Sequence, residues 1–189
     1  WLNFQDYFVK HQCNTKIFDI KVVGIEQASA TKLSLAALEQ ADLIVIAPSN
    51  PVVSIAPIIK VPEIKQAIIN SSAKVIAVSP FFSGRTLKGP ADEMILALGY
   101  ENSNFGLFQY YHSICKNLID TLVIDQQDSQ DCLQLNTHVE QICAINTLMA
   151  SRADKINLAE SLVSLVDLNK NTNSHRNNQN QLKSARELS

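Results

Sequence analysis

A chain of 189 residues, 46% of them hydrophobic, is long enough to bury a sizeable core within one domain. Sixteen Lys and Arg against 18 Asp and Glu leave a net charge of −2, and the cations are scattered, which removes the electrostatic footprint of a nucleic-acid binder. No apolar run approaches the roughly 20 residues that a bilayer-spanning helix needs, so neither nucleic acid nor membrane is an expected partner.

Along the chain, short apolar runs alternate with helical patterns. The opening Trp1-Leu2-Asn3-Phe4-Gln5 carries neither Met nor the charged, apolar and small-residue blocks of a signal peptide, so a gene product beginning upstream is expected. Residues 17–26, "IFDIKVVGIE", are rich in β-branched residues and predict a strand, at an edge. Leu33, Leu35, Ala36 and Leu38 recur at helical spacing behind Ser29 or Thr31 as a cap. A buried strand is predicted over 42–47, a Pro-led helix over 62–70, and a second apolar strand over 74–79. Another Pro-led helix spans 90–98 and ends at Gly99, where a left-handed cap is wanted.

Residues 104–118 follow as helix, 121–125 and 142–145 as strands, and 151–168 as a long helix with one apolar stripe. From 169 to 189 the chain is polar and asparagine-rich, too poor in apolar groups to offset its ordering entropy, and is expected to be a disordered tail behind a single domain over 1–168. Strands alternating with helices predict an α/β fold with a mainly parallel sheet covered on both faces. The four cysteines lie far apart without metal-ligand spacing and read as the reduced thiols of a cytoplasmic protein.

In such sheets ligands bind beyond the carboxyl ends of the strands. Two loops qualify. Pro48-Ser49-Asn50-Pro51 follows the 42–47 strand and runs on through Ser54. "PFFSGRTLKGPADEM", residues 80–94, follows Ser79. Together they offer the hydroxyls of Ser49, Ser54, Ser79, Ser83 and Thr86, the Asn50 amide, backbone donors near Gly84 and Gly89, and the cations Arg85 and Lys88. Neutral donors with two cations suit an anionic ligand such as a phosphate. Prolines on both sides of Ser49-Asn50 would fix the two donors in advance, although Ser-Asn-Pro is also a common turn that needs no ligand.

Asp92 is a weak metal candidate, since in the first turn of its helix, where it opposes the dipole, a structural role is favoured. His112, between aromatics, reads as a packed histidine. No local Ser/His/Asp or Cys/His set is present, so no catalytic nucleophile is assigned.

The blocks "ADLIVIAPSNPVVSIAPII", "VIAVSPFFSGRTLKGPADEM", "NTLM" and "DKINLAE", opened by "WLNFQDYFVK", closely resemble the 2-phospho-L-lactate transferase (CofD-like) family of coenzyme F420 biosynthesis, from Trp1 to about Val163. The resemblance implies a Rossmann-like three-layer fold, usually dimeric, and magnesium-dependent transfer of a phosphorylated three-carbon acid. The donor is a guanosine diphosphate derivative, the acceptor is the deazaflavin Fo, and GMP is released. By the same resemblance Ser49, Asn50 and Ser54, with Ser79 through Lys88, line the nucleotide side of the cleft.

Three departures accompany it. The family's glycine-rich amino-terminal strand–loop is absent, so the chain is expected to be a carboxyl-terminal part lacking its first strand–loop–helix units. Ala47, Ala56 and Ser83 stand where glycine is common, and Asn146 where Asp is usual. The rival resemblance, to YvcK-like regulatory nucleotide-sugar binders, calls for a loop closer to GPGSLYTS than to Pro48-Ser49-Asn50-Pro51. A binding-only fragment is the third alternative.

Overall fold

The computed structural model describes residues 1–86 and 90–166. The chain divides into two compact units, Trp1–Thr147 and Leu148–Ser189. The expected boundary at 168 and the tail over 169–189 lie outside the described residues. In the second unit, residues 152–166 form a helix, in line with the apolar stripe read from the sequence.

The first unit is built on four parallel strands: β1 (Leu43–Ile46), β2 (Lys74–Val78), β5 (Thr121–Asp125) and β6 (Gln141–Ile145), ordered β1-β2-β5-β6. A separate antiparallel pair, β3 (Phe81–Phe82) and β4 (Arg85–Thr86), forms a miniature hairpin after β2. Between the strands run α1 (Lys32–Glu39), α2 (Ala56–Ile59), α3 (Pro62–Asn70), α4 (Ala91–Ala97), α5 (Asn104–Ile114) and α6 (Cys132–Leu135). This is an α/β architecture with a mainly parallel sheet flanked by helices, as the alternation of runs predicts.

Local chemistry accounts for several boundaries. Thr31 caps α1 by accepting the Ser34 N–H at 3.1 Å, and Ser103 caps α5 by accepting from Gly106. Gly99 closes α4 at φ 83°, the left-handed conformation that glycine adopts without penalty. Burial then selects the strands. β5 is buried throughout and β2 nearly so, whereas in β1 the exposure of Val45 alternates with the burial of Ile44 and Ile46. That alternation marks an edge strand with one open face.

The strand expected over 17–26 is not formed. Residues 17–22 carry no regular structure, and only Ile25–Gln27 winds into a short 3-10 turn behind Gly24. Phe18 and Val23 are 80% and 86% exposed, and among the described residues no strand pairs with this segment. β-branched residues favour a strand only where a ladder and a buried face receive them.

Register positions the site. Ile46 at the end of β1 stands opposite Ala77 of β2, and Val78 stands opposite Val123 of β5. The loops leaving β1 and β2 therefore start side by side at the carboxyl edge of the sheet. The Ser79 N–H continues the ladder by one bond to the Val123 carbonyl at 2.8 Å.

Candidate functional site

The loop after β1 is a helix entrance. Asn50 is an N-cap whose Oδ1 accepts the N–H groups of Val52 at 2.9 Å and Val53 at 3.1 Å. Pro51 occupies the first helical position, where a missing N–H costs nothing. Pro51–Ile55 form a wide turn in which Ser54 and Ile55 both donate to the Asn50 carbonyl at 3.1 Å, and α2 continues from it. The prolines around Ser49-Asn50 thus serve a cap as well as a fixed direction. With Oδ1 spent on the backbone, Asn50 is left with its NH₂ as donor, which contacts the Met94 sulfur at 3.5 Å. Ser49 is half-buried and Ser54 exposed.

The loop after β2 is a hairpin. Ser83 and Gly84 take φ of 51° and 72° between the paired Phe82 and Arg85, the two positive φ values of a type I′ turn. Ser83 occupies this left-handed position at a conformational cost that glycine would avoid. Exposed Arg85 emerges from the turn. Its neighbour Thr86 donates both its N–H, at 3.0 Å, and its hydroxyl to Asp92 Oδ1. Asp92 therefore steadies the hairpin from the first turn of α4. Lys88 and Gly89 lie outside the described residues.

Because α4 touches Asn50 through Met94 and holds Thr86 through Asp92, the two loops share one end of the sheet. Ser49, Asn50, Ser54, Ser83, Gly84 and Arg85 are brought to that end. Ser79 is placed differently. It is 1% exposed, and its hydroxyl donates to Asn104 Oδ1 at 2.5 Å while accepting the Phe81 N–H. Its role is to turn the chain out of β2.

Beneath these loops lies a polar floor that the sequence reading did not single out. Asn104 passes the chain of bonds on, donating Nδ2 to Asp131 at 2.8 Å. Asp125, wholly buried at the end of β5, accepts from Gln127 N–H, Thr147 N–H and Thr147 hydroxyl. Asp128, 1% exposed, accepts the Gly84 N–H at 2.8 Å on Oδ1, while its Oδ2 is buried without a partner. Burial, chiefly, and the charges of Asp131 and Asp125 raise the Asp128 carboxyl above the ordinary carboxylate range, against the lowering pull of the Gly84 and Ser83 amides. The available signal was the spacing Asp125, Asp128, Asp131, three residues apart and directly after an apolar strand. The turn Gln126–Asp131 is kinked at Asp128, and both Asp125 and Asp131 lie close enough to act on the Asp128 carboxyl.

An apolar groove of about 670 Å³ abuts the loops, lined by Val53, Pro57 and Met94 and also by Leu2, Tyr7 and Phe18. Met94 belongs both to this groove and to the Asn50 contact, so groove and donors adjoin. A second, smaller cleft of about 170 Å³ sits beside the amino ends of β5 and β6, where His112 and His138 flank the Phe108 ring. His112 is half-buried, with its ring against Phe108 and one edge lining this cleft. All four cysteines are free thiols.

For a metal ion, the described residues contain no group of three or more His, Cys, Asp or Glu close enough to act together. Asp92, the candidate read from the sequence, spends Oδ1 on Thr86. Nor is any helix among them long and apolar enough to cross a membrane.

Comparison with known proteins bears on this arrangement. The family model described as "2-phospho-L-lactate transferase CofD" matches residues 1–164. The 2-phospho-L-lactate transferase of Methanococcus maripaludis is 35% identical over 162 residues, covering 86% of this chain and 50% of the relative. Those of Methanosarcina barkeri and Methanocaldococcus jannaschii are 34% and 30% identical, over 88% and 86% of this chain and 52% and 49% of the relative. The chain spans about half the length of these curated relatives. It belongs to the CofD family.

Proposed function

From that membership we propose that the chain carries one side of a phosphoryl-transfer site, working in coenzyme F420 biosynthesis. The reaction passes a phosphorylated three-carbon acid (phospholactyl, phosphoenolpyruvyl or phosphoglyceryl) from a guanosine diphosphate derivative to the ribityl hydroxyl of Fo, with release of GMP. The observation that carries this reading is the convergence of the Asn50 cap and the Arg85 hairpin on one end of the sheet, bridged by α4.

The chemistry asks little of the protein beyond placement and charge. Transfer of the phosphorylated acid breaks the phosphoanhydride bond of the donor, and the acceptor oxygen forms the new bond to phosphorus. GMP carries away the electron pair, and the hydroxyl proton passes to solvent. Donors fixed in advance lose little entropy when the diphosphate arrives. The Asn50 NH₂ and exposed N–H groups serve shape, and Arg85 serves charge; its planar fork matches two phosphate oxygens at once. The adjoining apolar groove offers a flat surface to the deazaflavin ring.

Magnesium belongs to the family reading, but the described carboxylates do not make a cage for it. The ion is therefore assigned to the donor's own phosphates, as magnesium commonly binds, and no step here is routed through it. A homodimer in the cytoplasm completes the reading.

The test is direct. The protein is incubated with the guanosine diphosphate donor, magnesium and Fo, and GMP formation and GDP affinity are measured. Binding with GMP release supports transfer. Binding without release supports the alternative of a binding-only protein, which coverage of half the relatives' length keeps in view. Absence of GDP binding overturns both.

A further inference from the structure

The three aspartates of the polar floor are not equivalent. Asp125 has both oxygens satisfied, by Gln127 in the turn after β5 and by Thr147 beyond β6, and Asp131 holds Asn104. Asp128 alone reaches across to the hairpin, and among the described residues it alone leaves a carboxylate oxygen buried and unpaired. A buried acid without its full complement of donors lowers stability, and proteins discard such groups unless something retains them.

The hairpin supplies the reason. β3 and β4 pair over two residues each, far too little to stand alone, and their turn holds Ser83 in the left-handed region. Two acids from outside fasten it: Asp92 through Thr86 on one side of Arg85, and Asp128 through Gly84 on the other. Arg85 itself projects into solvent, so its direction is set through its neighbours' backbone.

We propose that Asp128 is a positioning residue which, through the Gly84 amide, fixes the Ser83–Gly84 turn and thereby aims Arg85 at a ligand's phosphates, a role retained at a cost in stability. The phosphate half of this inference rests on the function proposed above; the anchoring half does not. A carbonyl-type oxygen suffices to hold Gly84, so the anchor works in the neutral acid as well as in the anion.

Protonation is therefore the informative variable. The charged groups that act on Asp128 are Asp131, at the end of its own turn, and Asp125, at the end of β5. The raised carboxyl binds a proton more tightly in the folded chain than in the unfolded one. Stability from this group is accordingly present at acid pH and is lost as pH rises from the ordinary carboxylate value through the raised one.

The experiment compares the wild type with Asp128→Asn and Asp128→Ala, reading Gly84 amide exchange, Tm against pH, and GDP affinity against salt. Asp128→Asn keeps an acceptor for Gly84 and discards the charge. It should protect the amide as the wild type does, hold GDP affinity within about twofold, and raise Tm at neutral pH by about 2–4 °C. That gain should shrink to nothing as the wild type becomes protonated. Asp128→Ala should expose the Gly84 amide and weaken GDP binding about tenfold, with a shallower salt dependence. Unchanged Gly84 exchange in Asp128→Ala, or a pH-independent Tm difference in Asp128→Asn, overturns the anchor. Should the wild type fail to bind GDP, the proposed function and the phosphate half fall together, and amide exchange still judges the anchor.

Discussion

The loop that leaves β1 is held by its own residues, whereas the hairpin that leaves β2 is held by acids outside it, one on α4 and one beyond β5. Asn50 caps the two amides directly after it, and Pro51 fixes the first helical residue; every part of that device lies within four consecutive positions. The hairpin at Ser83–Gly84 depends instead on Asp92 and on Asp128, 44 residues away from Gly84 in sequence. A local device keeps its shape whenever its short segment is intact. A remotely anchored one inherits every disturbance of the elements that carry its anchors. The first loop should therefore behave as a rigid lip of the site and the second as an adjustable one.

Variants can break or sharpen that contrast. The largest effect is expected from Gly106→Ala in α5. A Cβ there would sit 2.0 Å from the Glu101 carbonyl oxygen, a clash with backbone that cannot rotate away. The expected loss is about 3 kcal/mol of stability, read by urea denaturation. Because α5 carries Asn104, the partner of Ser79, amide exchange should rise around the hairpin and not around Val52 and Val53.

Next comes Asp92→Ala, which strands the Thr86 N–H and hydroxyl; about 1–3 kcal/mol is at stake, with loosening confined to the hairpin. Asn50→Ala removes the cap and should cost about 1 kcal/mol together with GDP affinity. Asn50→Asp separates the two roles. An aspartate retains the capping acceptor and suits a helix start, so stability should hold while the lost NH₂ donor weakens GDP binding. Equal GDP affinity in both variants and the wild type would remove Asn50 from the site. The smallest structural effect belongs to Arg85→Ala, an exposed position where stability should change by less than about 0.5 kcal/mol. Its signature is electrostatic: GDP binding should become less sensitive to salt, and an unaltered slope would argue against a phosphate contact.

How far the sequence could be read follows the same division. The sheet strands, the Pro-led helix α3 and the Gly99 stop of α4 were readable because each is decided by periodicity or by a residue with one special backbone role. Asn50 was readable as important, but its duty as a cap was not separated from a turn, since both place Asn before Pro. Residues 17–26 misled because β-branched composition says nothing about whether a neighbouring strand exists. The inward turn of Ser79 and the anchoring by Asp128 were hidden for a different reason. Both depend on partners from 25 to 44 positions away, and no local pattern encodes a partner at that distance.

A titration of GDP into isotopically labelled protein, following the amides of Val52, Val53, Gly84 and Arg85 together, asks whether the two loops form one pocket. If they do, both pairs of signals move and share a single Kd. Movement of one pair alone, or different Kd values for the two, would show that the loops meet no common ligand.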